Sequence, residues 1–194
     1  MEVKNMHLHQ MWLRGEKGGV RGTGADLHDK YLRDAHLQNF DLRKVDLAGA
    51  DLHRADLRDA EMACAVMTLA YLVGADLQDA SLKNVEATEV DLRYAHLNGA
   101  CLYGAKLRWS DLRYADLRGA DLREADLRNV DLRYADLREA ILCGADLSYA
   151  DLLCADLRHA DFRGATLKNA NMLDTHISYA TFDESWTEFL EGRK

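Results

Sequence analysis

The stretch Asp111–Glu139 reads DLRYADLRGADLREADLRNVDLRYADLRE. Leucine returns every fifth residue, with Ala or Val two places before it and Arg one place after. Neither common backbone has that period. At about 100° per residue a helix sends successive leucines about 140° apart, so no apolar stripe forms, and a flat strand throws them to alternate faces. The phase also runs far beyond the quotation. Stepping by five from Leu27 reaches Phe182 in 32 unbroken units, and only Ala87 among the centres is not a large apolar residue. Ala fills most positions two before the centre, with Val45, Val85, Val90 and Val130 among the exceptions. Self-similarity at fixed phase over this length implies a solenoid, whose units bury their apolar sides only by stacking on their neighbours.

Packing then assigns the slots. If the chain bends once per unit, every centre points at a common axis and the small residue two before it turns inward as well. Ala suits that slot because overpacking beside a column of leucines costs roughly 1–3 kcal/mol. The other three positions, usually Asp before the centre and two polar residues after it, look out at solvent.

The units ADLRG, ADLRE and ADLSY resemble the A(D/N)LXX consensus of the pentapeptide-repeat family, over about residues 25–184. The resemblance implies an all-β fold, a right-handed quadrilateral β-helix with four units per coil and about eight coils, closed by short N- and C-terminal caps. At roughly 4.8 Å per layer such a rod is about 38 Å long. It also implies a bacterial or phage type rather than the gyrase-protecting Qnr type, since such members carry a lead-in similar to WLRGEKGG.

Three segments are expected: 1–24 as a cap with a Gly-rich linker, 25–184 as the repeat, and 185–194 as a capping or dimerisation helix. In NMHLHQMWLRG, Leu8, Met11 and Trp12 have helical spacing behind Asn5 as a candidate N-cap. In SWTEFLEG, Ser185 and Glu188 form a capping box and Trp186, Phe189 and Leu190 share one side. Those three either cover the terminal coil of their own rod or meet that of a second molecule. The tail's likeness in position and length to the dimerising C-terminal helix of Qnr-type members favours the second, a homodimer.

Composition excludes several functions. No apolar run approaches the roughly 18 residues of a membrane span, and the start lacks a secretory core, so a cytoplasmic protein is expected. Cys64, Cys101, Cys143 and Cys154 do not stack one coil above another and fit no zinc spacing, so they read as reduced thiols. His36, His96 and His176 share the Asp slot of one face but lie three and four coils apart, too far for one metal, and no cofactor is expected. GEKGGVRGTG lacks the phosphate-loop spacing and reads as a linker. A leucine-filled narrow rod leaves no pocket for paired carboxylates, so enzyme activity is not expected.

What remains is surface. Tyr94, Tyr114 and Tyr134 recur every twenty residues beside Arg93, Arg113 and Arg133 and beside Asp91, Asp111, Asp131 and Asp151. Such ladders stabilise a stack in their own right, and a flat Tyr/Arg patch is also what protein interfaces enrich. Both readings stand at this level, and the patch is the candidate interaction surface for an unidentified protein partner. The alternative is a DNA-mimic modulator of DNA gyrase, as in the quinolone-protecting Qnr group, and the formal net charge of −8 suits it. Against it, the slot before the centre holds 19 acids while the slot after it holds 15 Lys or Arg, so most acids have a base within reach. The repeat also lacks the projecting loops of that group. Direct nucleic-acid binding is not expected.

Overall fold

The computed structural model describes residues 26–184. The N-terminal segment 1–24, with its expected cap, and the tail carrying Trp186, Phe189 and Leu190 lie outside the described residues.

Each unit folds as one short bridge followed by a turn. The residue before the centre forms a parallel β-bridge with the residue twenty positions on, from Asp26↔Asp46 to Asp161↔Thr181. Four five-residue units therefore separate stacked positions, and every unit sits on the unit four ahead of it. The unit centred on Leu112 shows how backbone groups are satisfied. Leu112 N donates to Asp131 O at 2.8 Å, Tyr114 N to Arg133 O at 3.2 Å, and Asp131 N to Ser110 O at 3.0 Å. Ala115 N closes the corner on Leu112 O at 3.1 Å. A chain bending every five residues thus leaves few backbone groups unpaired, as burial demands.

The corner has a cost that the repeat hides. From Asp29 to Tyr179 the second residue after every centre has positive φ, and 24 of these 31 residues are not glycine. The corner is a turn closed on the centre's carbonyl with a left-handed residue at its third position, a place that ordinarily favours Gly. A side chain there costs roughly 1–2 kcal/mol against Gly.

Centres and small slots form one continuous core. All centres from Leu37 to Met172 are buried, as are the Ala and Val residues in the small slots from Ala35 to Ala165, while Leu27, Leu32, Ala170, Ile177 and Phe182 towards the ends are partly buried. The column ends on a stack of Phe162 and Phe182 with centroids 5.0 Å apart. Phe40 in a small slot packs partly buried against the core, and its turn bond to Leu37 O is kept, so the backbone there is regular.

Ala87 is the one small residue among the centres, and Val85 and Val90 flank it in the small slots. The layer runs through it unbroken, with bridges Val66↔Glu86 and Glu86↔Lys106 and the bond from Ala87 N to Lys106 O intact. What gives way is the turn. Val90 N donates to Ser110 Oγ at 3.2 Å, and Ser110 Oγ donates to Ala87 O at 2.8 Å, so a hydroxyl from the next layer is inserted into the corner. Ser110 is 1% exposed.

Candidate functional site

The outward slots are organised by a side-chain clasp. In a D-L-R unit the Asp lies two residues before the Arg, and its Oδ1 accepts from the Arg backbone N–H, an Asx turn that sets the bend. The Arg side chain then folds back over the Leu and forks onto the same carboxylate. For Arg113 the bonds are Nε to Asp111 Oδ1 at 2.9 Å and Nη2 to Asp111 Oδ2 at 2.6 Å. Eleven arginines make this fork, from Arg43 to Arg163. Several also approach the Asp of the next layer, as Arg93 does Asp111 at 3.6 Å, Arg113 does Asp131 at 3.5 Å and Arg133 does Asp151 at 3.7 Å. Acid and base therefore alternate without a break from Asp91 to Asp151.

This is the column that carries the expected surface, and the structure brings its six residues together. Tyr94 and Tyr114 stack with centroids 5.0 Å apart and planes 3° apart, and Tyr114 and Tyr134 do so at 5.0 Å and 4°. The three residues are 54%, 46% and 47% exposed. Their faces are turned to one another along the rod, so edges and phenol oxygens meet solvent beside the Arg–Asp ladder. Offset stacking of this kind is worth about 0.5–1.5 kcal/mol per pair.

Electrostatics follow the clasp. The Arg163 guanidinium hydrogen-bonded to Asp161 outweighs burial and holds that carboxyl down to about 2. Arg58, Arg118, Arg123, Arg128 and Arg158 likewise hold Asp56, Asp116, Asp121, Asp126 and Asp156 below the usual carboxylate range. Burial pushes the Asp111 carboxyl up, but its bonds to Arg113 bring it below its ordinary value on balance. Carboxyls depressed in the folded state stabilise it above their unfolded pKa and lose that contribution as pH falls through the folded one. The melting temperature should hold from pH 7 to about 5 and then fall between about pH 4 and 2. A melting temperature at pH 2 equal to that at pH 7 would show that the clasps contribute nothing.

The structure adds a recess that sequence reasoning missed. Asp29, Tyr31, Arg33, Gly49, Asp51, His53 and Tyr71 line an open hollow of about 490 Å³, where the expectation was no pocket at all. It arises because Tyr31 and Tyr71 stand in the Asp slot on either side of the shorter Asp51, two layers apart, a pattern visible only once the twenty-residue register is known. Asp51 accepts from Arg33 Nε at 2.5 Å and pairs with His53 Nδ1 at 2.6 Å. Burial raises that carboxyl, but Arg33 and His53 outweigh it and keep it ionised. A carboxylate occupied by two partners is a poor proton donor or acceptor for a substrate.

The four cysteines are free, Cys64 exposed and the others half-buried, and burial pushes the Cys143 thiol up. Among the described residues no group of three His, Cys, Asp or Glu could hold a metal ion, and no helix is long and apolar enough to cross a membrane.

The sequence profile named Pentapeptide repeats matches in eight copies, within residues 25–62, 70–108 and 110–185. The chain belongs to the pentapeptide-repeat family. Among solved members, HetL of the cyanobacterium Nostoc sp., a pentapeptide-repeat protein involved in heterocyst differentiation regulation, is 34% identical over 85% of this chain and 81% of its own, with TM-score 0.48. Full-length QnrB1, a plasmid-mediated fluoroquinolone resistance protein, is 16% identical over 89% of this chain and 97% of its own, with TM-score 0.35. Rfr23 of the cyanobacterium Cyanothece is 21% identical over 94% and 97%, with TM-score 0.21. The last two are likenesses of fold alone. By sequence this pentapeptide-repeat protein is nearer to HetL than to QnrB1. No curated protein matches the chain. The family match indicates a repeat β-solenoid.

Proposed function

We propose that this pentapeptide-repeat protein is a non-catalytic, cytoplasmic bacterial scaffold that binds a protein partner through the column of Arg93, Tyr94, Arg113, Tyr114, Arg133 and Tyr134. The observation that carries the reading is the exposed three-tyrosine stack, with rings 5.0 Å apart, set beside an unbroken Arg–Asp ladder. Phenol edges on a rigid support offer large contact area at little entropic cost, the property that enriches Tyr and Arg in interfaces. The frame proposed for it is a right-handed, four-sided β-helix of about eight coils. Bridges between residues twenty apart support four sides, and their run from Asp26 to Thr181 supports the coil number. Caps at 1–24 and 185–194, and a homodimer through Trp186, Phe189 and Leu190, complete the proposal.

The clasps weigh against mimicry of DNA as a gyrase modulator. Acids paired at hydrogen-bond distance by their own arginines present a flattened potential, whatever the net charge. HetL's involvement in regulation is in keeping with a binding role here. The test is affinity capture from the host with the intact protein and with a Tyr94→Ala/Tyr114→Ala/Tyr134→Ala variant, beside a gyrase supercoiling assay. The expected result is one stoichiometric partner held by the intact chain and lost by the folded variant, with supercoiling unaffected. Retention by the variant would move the interface elsewhere, and inhibition of supercoiling would restore the DNA-mimic alternative.

A further inference from the structure

On the side of the rod that carries the recess, each layer presents three outward slots. They hold Asp29, Tyr31 and Arg33 in the first layer, Gly49, Asp51 and His53 in the second, and Leu69, Tyr71 and Val73 in the third. Tyr31 and Tyr71 therefore stand two layers apart, about 10 Å at the spacing of stacked β-layers, with only the shorter Asp51 between them. They are 76% and 49% exposed, so the outer parts of their rings rise past that carboxylate as two walls. The floor between the walls is acidic. Gly49 has no side chain, and the Asp29 carboxylate of the layer below takes that room, its Oδ1 lying where a Cβ on Gly49 would intrude. Asp51 beside it is held by Arg33 Nε and His53 Nδ1. Asp29 has His28 Nε2 at 3.1 Å, which is a cation only when protonated, and keeps 71% of its side chain in solvent. With the histidines neutral, two acids and one arginine line the recess, and the charge left over is that of Asp29.

The rod shows elsewhere what a tyrosine face takes from one layer away. Lys83 Nζ stands 5.3 Å from the centroid of Tyr103 and Arg123 Cζ stands 5.8 Å from it, one from the layer below and one from the layer above. In the recess the order is inverted, with two rings and a gap between them. A group midway in that gap lies about 5 Å from each ring, within the roughly 6 Å reach of a cation over an aromatic face. His53 bounds the gap on one edge, stacked on Tyr71 with centroids 6.1 Å apart and planes 18° apart. Its Nδ1 carries the proton that bonds the ionised Asp51, so in the neutral ring Nε2 is an acceptor.

We propose that the recess between Tyr31 and Tyr71 is a binding site for the guanidinium of an arginine on a partner protein. The flat group enters from solvent between the two rings, stacks against both, and donates to the Asp29 carboxylate and to His53 Nε2. Asp51 keeps its bonds to Arg33 and His53, and the hollow of about 490 Å³ leaves room for the newcomer above them. A guanidinium suits this gap better than an ammonium because it offers two faces to two rings and a fork to a carboxylate. The rod's own arginines make that fork onto aspartate, as Arg128 does onto Asp126 at 2.7 and 2.6 Å. The recess lies on other layers than the tyrosine column Tyr94, Tyr114 and Tyr134 and does not rest on it, so its failure leaves that reading as it stands.

The probe is the peptide acetyl-Gly-Arg-Gly-amide, compared with its citrulline counterpart, with acetyl-Gly-Lys-Gly-amide and with tetramethylammonium. Binding is followed through the tyrosine ring resonances of the full chain, those of Tyr31 and Tyr71 being assigned by their loss in Tyr31→Leu and Tyr71→Leu. The expected result is a saturable shift of both with the arginine peptide, with a dissociation constant on the order of 1 mM. The citrulline peptide should shift neither, and Tyr94, Tyr114 and Tyr134 should stay unmoved. Asp29→Asn keeps the shape of an exposed side chain at a positive φ that Asn tolerates. It should retain the melting temperature and bind about tenfold more weakly, the loss of one charge-assisted fork. Unmoved Tyr31 and Tyr71 resonances, a shift confined to Tyr94, Tyr114 and Tyr134, or undiminished binding in Asp29→Asn would overturn the proposal. Equal shifts with the lysine peptide or tetramethylammonium would overturn it too, by reducing the place to a general cation contact.

Discussion

Leu112→Asp should leave no folded rod at room temperature, while Arg113→Ala, its neighbour, should lower the melting temperature by only a few degrees. Leu112 is 0% exposed, and the centres stacked on it, Leu92 and Leu132, are 2% and 1% exposed. A carboxylate there meets neither water nor a cation. The outward arginines cannot turn in without breaking their forks, and neutralising the acid still leaves a buried hydroxyl and carbonyl unpaired. Such a defect costs about 4–5 kcal/mol or more, a large part of the stability of an ordinary domain. Its effect reaches beyond one layer, because a solenoid's stability is a sum over neighbouring contacts and the two interfaces at Leu112 fail together. Arg113 is different. It is one third exposed and pairs with Asp111 and Asp131, so its removal costs about 0–1 kcal/mol as for exposed ion pairs. Circular dichroism melts of the two variants decide the matter. Similar losses would mean that inward and outward slots have been exchanged.

That contrast was legible in the sequence because it depends only on the period. A centre that is large and apolar in 31 of 32 units, with Ala usually two before it, can be satisfied in few ways by a stacked chain. The tyrosine column was legible for the same reason, since Tyr94, Tyr114 and Tyr134 repeat at the register that the bridges adopt. The register itself is another matter. A period of five says nothing by itself about how many units complete a layer, and twenty residues came from the family resemblance before the bridges showed it. The corner was legible in outline, since all seven glycines within residues 26–184 fall in the positive-φ slot and Gly, Asn and Asp make up 16 of its 31 residues. What obscured it is that Tyr, Trp, Glu and Leu occupy most of the rest. The recess between Tyr31 and Tyr71 is a departure from the repeat, whose consequences depend on what lies one layer away.

The insertion at Ala87 is the sharpest case of such a departure, and it yields the second large expected effect. Ser110→Ala should lower stability by about 2 kcal/mol, well beyond the cost of an ordinary exposed hydroxyl. Ser110 occupies a slot that Ala fills in most units, so the substitution restores the consensus and a sequence-based expectation would be neutrality or gain. The hydrogen bonds say otherwise. Ser110 Oγ accepts from Val90 N and donates to Ala87 O, standing in for the turn bond that other corners make directly. Ala87, Val85 and Val90 around it are all at most 1% exposed. Removing the hydroxyl strands one donor and one acceptor away from water, each costing about 1–3 kcal/mol before the corner relaxes. Relaxation can recover part of this by closing the turn onto Ala87 O, the geometry seen at Ala115 and Leu112. Ser148→Ala is the matched control. Its hydroxyl donates to Asp146 Oδ1 at 2.6 Å, but the backbone N–H of Ser148 bonds the same oxygen and remains after the change. Thermal melts of both variants, with hydrogen exchange at the Val90 amide, give the answer. A protected Val90 amide and an unchanged melting temperature in Ser110→Ala would mean that the corner closes by itself and the inserted hydroxyl is dispensable.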